Sequence, residues 1–220
     1  MLYAFCGFVF GLFIPYIARR FAKFMPASFA YALWQIIKPQ INTRKIRKAP
    51  LYKTYIWRSF MSGLFTAGLS FLFYHHFGSE NIAWKLVLLW SLLLLAEIDW
   101  RMFLLPDILT VPLLILGFFT AAWNIGFTIA PDSALGAIVG FFLPSLAALA
   151  LVWKNRDAFG GGDIKLLAAI GAWLGFNGLL YTIALASISQ LIVSLLNCQK
   201  AVAFGPALAF AAIIIAISFF

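Results

Sequence analysis

The sequence predicts an all-α fold, a polytopic membrane protein with seven to eight transmembrane helices. Three observations lead there: 64% of the 220 residues are hydrophobic and only 10% charged, mean hydropathy is +0.99, and apolar runs follow one another nearly end to end. Soluble domains carry about 25% charged residues, so this composition is that of a chain dissolved in lipid. A helix needs about 20 apolar residues to cross the hydrocarbon, and the runs here approach that length between short breaks of Pro, Gly and charge.

The first run, residues 3–18, has nothing basic before it and positive charge after it, the reverse of a secretory signal, and reads as a retained span. Further spans are expected at 55–77, 81–98, 108–126, 134–153, 164–175, 177–197 and 203–219. The sixth is short enough to fuse with the seventh across Gly175 and Gly178. Two parts result: 1–78, holding the first two spans and the basic loop between them, and 79–220, holding the rest.

Arg19, Arg20, Lys23, Lys38, Arg44, Lys45, Arg47, Lys48, Lys53 and Arg58, ten of the sixteen cations, lie between or beside the first two spans. The positive-inside rule then places residues 19–54 in the cytoplasm and the N-terminus outside. Threading onward puts Tyr74 to Asn81 outside, Asp99 to Asp107 inside, Ile125 to Ser133 outside and Lys154 to Asp163 inside. Arg101, Lys154, Arg156 and Lys165 agree with this; Lys85 alone dissents. Topology and contact with anionic membrane lipids account for the net charge of +9, so no nucleic-acid partner is expected. Cys6 and Cys198 are far apart and form no CxxC, which supports neither a zinc site nor a disulfide framework; both are expected as buried apolar side chains. His75 and His76 adjoin an outer loop and read as interfacial.

Seven acidic residues remain to be placed. Glu80 and Asp132 fall in outer loops, and Asp132 in "APDSALGA" has the setting of a helix N-cap. Asp157, beside Arg156, reads as a solvated loop charge. Asp107, after Pro106, is expected to cap the helix that starts there. Asp99 is different: it sits on the last turn of an apolar span, where a carboxylate opposes the helix dipole, with Glu97 before it and Arg101 after it as a candidate partner. Asp163 follows Gly160, Gly161 and Gly162. It can serve as an N-cap, but three glycines exceed what a cap requires; they imply close approach of backbone to another helix or a substrate, or positive φ.

Two predicted spans separate Asp99 from Asp163, which returns the chain to the same face of the membrane. Ionisable groups at membrane depth cost about 2.5 to 3.5 kcal/mol each on insertion scales, so a pair at one level implies a function. Paired carboxylates suit aspartic proteolysis: like charges held close do not both ionise, and the half-protonated pair activates a water against a peptide carbonyl.

On these residues the chain resembles the type IV prepilin peptidases, membrane aspartic proteases with a G-x-G-D signature. The matching blocks are "IDWRMFLLPDILTVPLLILG" (98–117), "FGGGDIKLLAAIGAWLG" (159–175) and "AFGPALA" (203–209). The resemblance implies Asp99 and Asp163 as the catalytic pair, Gly160 and Gly162 as the signature glycines, Lys165 as the lysine that follows, and Asp107 as a supporting residue. It also implies a bacterial inner-membrane location, and as substrate a type IV prepilin or type II secretion pseudopilin whose basic leader is cut on the cytoplasmic side. Many members also methylate the new N-terminus with S-adenosylmethionine and carry paired CxxC motifs for zinc. The corresponding loop here, residues 19–53, has no cysteine; zinc is therefore not expected, proteolysis needs no cofactor, and S-adenosylmethionine enters only if methylation is retained.

Three other readings compete. Pro206-Ala207-Leu208 matches the presenilin and signal-peptide-peptidase class, but Ile98 stands where that class has Tyr and the "LLPDILTVPLL" block is left unaccounted for. A proton- or cation-coupled transporter would also use an intramembrane Asp pair, yet no pair of broken half-helices is evident. A scaffold would use "GAIVG" (136–140) and "GAWLG" (171–175) as close-packing faces, which leaves the Asp pair without a role.

Overall fold

The computed structural model describes residues 1–24, 51–152, 160–197 and 203–220. They form seven helices: α1 (Leu2–Phe24), α2 (Leu51–Phe77), α3 (Ile82–Met102), α4 (Asp107–Ala122), α5 (Ala130–Val152), α6 (Gly161–Asn197) and α7 (Gly205–Phe219). The fold is that of a polytopic helical membrane protein. Among the described residues Leu2–Phe21, Ala130–Ala150 and Gly161–Leu196 are long and apolar enough to cross a membrane, and α4 and α7 are shorter apolar helices. Asp157, Lys154, Arg156, Cys198 and the cations from Lys38 to Lys48 lie outside the described residues.

The chain divides into two compact units, Met1–His76 and Phe77–Phe220. In the first, α1 and α2 meet through small residues. A Cβ on Gly11 would stand 2.8 Å from the Gly63 Cα, so the two backbones nearly touch. Lipid is as apolar as Leu and gives helices no hydrophobic reason to associate, so such contacts work by dispersion at close range. The buried hydroxyls of Thr66 and Ser70 donate to Ser62 O at 2.9 Å and Thr66 O at 2.8 Å, which leaves neither unsatisfied. Cys6, expected to be buried, is instead exposed and free. It shares its helix face with the outward-facing Val9 and Phe13, where a thiol is one more weakly polar group.

In the second unit α6 is the central element, packed by α4, α5 and α7. Every residue from Leu166 to Gly175 is buried. Trp173 donates its indole N–H to Leu113 O at 2.8 Å, and Ser133 Oγ donates to Ala172 O at 2.6 Å, tying α4 and α5 to α6. Gly136 and Gly171 face each other across the α5–α6 contact, and no Cβ fits at either. The "GAIVG" and "GAWLG" motifs do pack helices.

The sixth and seventh expected spans are one element with a break at Gly175, whose φ of 70° and ψ of −175° only glycine adopts freely. Asp132 manages the break. Expected as an N-cap, it lies in the first turn of α5 and accepts the freed Phe176 N–H at 3.2 Å and the Thr128 hydroxyl at 2.9 Å. The fourth span ends at Ala122 rather than 126, because Asn124 turns the chain with φ 54°. Lys85, the dissenting cation, stands 4.3 Å from the ring centre of Phe77 and 5.7 Å from that of Phe127. Aromatic faces attract a cation, so these rings give this lysine a local partner.

Candidate active site

Three helix ends meet in the second unit: the C-terminus of α3 and the N-termini of α6 and α7. Asp99, on the last turn of α3, is only 5% exposed. Its Oδ2 accepts the backbone N–H of Gly205 at 2.8 Å. Gly205 opens α7, whose preceding residue, Phe204, makes no side-chain cap. The carboxylate therefore satisfies an orphan amide of α7 from another helix, and the dipole of α7 offsets the unfavourable end of α3.

Arg101 is not the partner of Asp99. It pairs with Glu97, its Nη2 2.7 Å and its Nε 2.8 Å from Oε1. The physical reason is helical spacing: residues four apart share a face, whereas residues two apart do not.

Asp163 is the third residue of α6, not its N-cap; it reaches back to accept the backbone N–H of Gly160, in the manner of the acidic member of a capping box. It is half-buried and lies within Coulombic range of Asp99. The two carboxylates thus lie within Coulombic range of one another, Asp99 enclosed and Asp163 half-buried.

The glycine run has a divided role. None of Gly160, Gly161 and Gly162 has positive φ. A Cβ on Gly162 would stand 2.8 Å from Leu105 Cβ and 3.2 Å from Leu105 O, so this glycine admits the α3–α4 turn. Gly161 has nothing within 4 Å of a would-be Cβ, and Gly160 only the side chain of Asp163, at 3.4 Å. Close approach is required at one position and open space stands at the other two.

Asp107 does not cap α4 through its side chain; it is the first helical residue, after Pro106. Its Oδ2 lies 2.6 Å from Lys165 Nζ, an ion pair joining α4 to α6. Sequence reasoning named both residues without joining them, and it missed Gly205 as the amide donor. The Gly-Pro pair at 205–206 was the available signal, since proline favours the first turn of a helix. Among the described residues no group of three or more His, Cys, Asp or Glu is gathered to hold a metal ion.

Fold and site together define a helical membrane protein with a carboxylate pair at the junction of three helix ends. The chain belongs to the type IV leader peptidase family, whose sequence profile matches residues 86–195, half of the 220-residue chain. It is 32% identical over 224 residues to a prepilin leader peptidase/N-methyltransferase of Stutzerimonas stutzeri, covering 93% of this chain and 72% of that protein. Proteins of the same name from Dickeya chrysanthemi and Dichelobacter nodosus are 37% identical over 165 residues and 38% identical over 153. These matches take in 65% and 67% of this chain and 54% and 53% of the relatives, so the chain spans about half the length of those two. No solved structure matches it.

Proposed function

We propose that this chain is a membrane aspartic endopeptidase that removes the basic leader of type IV prepilins or type II secretion pseudopilins at the cytoplasmic face of the bacterial inner membrane. The observation that carries the reading is that Asp99 and Asp163 lie within Coulombic range of one another inside the region of the family match. In an aspartic dyad one proton is held between two carboxylates, because like charges held close do not both ionise. The ionised member takes a proton from water, the resulting nucleophile adds to the scissile carbonyl, and the protonated member gives its proton to the carbonyl oxygen. Collapse of the tetrahedral intermediate returns a proton to the departing amine. These steps use no metal and no cofactor.

Orientation follows from the cation distribution, with the N-terminus outside and the Asp pair near the inner face. The substrate in this reading is an apolar helix with a basic flank, which reaches the half-buried Asp163 from the lipid side. S-adenosylmethionine-dependent methylation of the new N-terminus is a separate activity, read by the same experiment.

That experiment mixes detergent-solubilised protein with a prepilin and follows the product by mass spectrometry. Expected is loss of the leader with the wild-type chain. Intact prepilin after incubation with folded wild-type protein would sink the proposal, and ion flux in proteoliposomes without cleavage would replace it with a transporter. A methyl group on the product decides the second activity.

A further inference from the structure

We propose that Asp107 and Lys165 act as one unit, a positioning pair that sets the placement of the Asp99 segment against the Asp163 segment. The inference rests on the peptidase reading given above. Asp107 follows Asp99 across a single short turn, and Lys165 lies two residues beyond Asp163 on α6. The turn is fixed at three points. At its start Phe103, with φ 53°, donates its N–H to Asp99 O at 2.9 Å. At its middle Leu105 packs on the bare backbone of Gly162. At its far end Asp107 holds Lys165 at 2.6 Å.

The two side chains are 63% and 40% exposed, and an ion pair so open contributes little to folding stability. What it constrains is register. Asp99 and Asp163 belong to different helices, and the contact between Asp107 and Lys165 is the charged link that ties their segments together on the open side of the site. Reaction rates are sensitive to displacements of about 1 Å, so a link worth up to about 1 kcal/mol shifts turnover by up to about fivefold where it biases the placement of the two carboxylates.

The test is an alanine double-mutant cycle on the full chain in detergent, with prepilin as substrate: wild type, Asp107→Ala, Lys165→Ala and the double variant, each scored for kcat, KM and thermal unfolding. Expected is a fall in kcat of about threefold to fivefold in each single variant, no further fall in the double, KM within about twofold of wild type, and an unchanged melting temperature. Losses that multiply in the double variant would overturn the pairing. So would a raised KM at unchanged kcat, which marks direct contact with the leader instead. Asp107→Glu and Lys165→Arg, which keep the charges, are expected to retain most of the turnover; if they are as slow as the alanines, the pair is not the cause. Should the wild-type chain itself leave prepilin intact, the peptidase reading falls, an outcome distinct from a wild type that cleaves while the cycle is additive.

Discussion

Asp99 Oδ2 accepts the Gly205 amide at 2.8 Å, and a Cβ on residue 205 would stand 2.6 Å from that same oxygen. The bond exists because position 205 carries no side chain. Gly205→Ala keeps the N–H but pushes the carboxylate away. Expected is a loss of prepilin processing of about tenfold or more while the protein remains folded in detergent. Wild-type turnover in Gly205→Ala would show that Asp99 does not need this amide.

Asp99→Asn and Asp163→Asn are each expected to abolish processing in membranes, because an amide neither shares a proton nor takes one from water. Asp107→Asn is expected to retain measurable activity. A dead Asp107 variant beside an active Asp99 variant would move the first catalytic role to Asp107.

At Gly162 the expectation concerns space. Valine there meets Leu105 directly, and overpacking of this kind costs about 1 to 3 kcal/mol, so Gly162→Val should melt at a lower temperature than wild type. Gly161→Ala, with open space around it, should melt as wild type does. Equal melting of the two would remove Leu105 as the reason for the third glycine.

The break in α6 depends on Asp132. Asp132→Ala leaves the part-buried Phe176 N–H without its acceptor, a cost of about 1 kcal/mol, at the low end of that for a buried donor. Thermal unfolding of the solubilised variant should fall accordingly, and an unchanged curve would mean that the amide finds another acceptor.

Much of this was legible in the sequence, for identifiable reasons. Apolar runs between charged breaks located the helices of the described residues, since length and hydropathy are local properties. Counting spans gave the expectation that Asp99 and Asp163 share a face, and in the fold the two lie within Coulombic range of one another. Partners were harder. Arg101 is near Asp99 in sequence but on another face of α3, and Glu97, one turn away, takes it. The donor to Asp99 lies 106 residues downstream, a distance at which no spacing rule operates. Asp132 looked like a cap because Pro-Asp-Ser commonly is one; only the freed amide on a different helix explains why it reaches outward. Lys165 and Asp107 are 58 residues apart, each plausible alone, and their pairing is a property of how α4 and α6 pack.

The order in which the chain is made gives the Asp99–Gly205 bond one more meaning. A ribosome delivers α3 and then α6 before α7, because synthesis proceeds from the N-terminal side. Both carboxylates are therefore present in a nascent chain in which Asp99 still lacks its amide. On the peptidase reading proposed above, the site is therefore completed by α7, and a half-made copy holds Asp99 and Asp163 without the Gly205 amide that anchors Asp99.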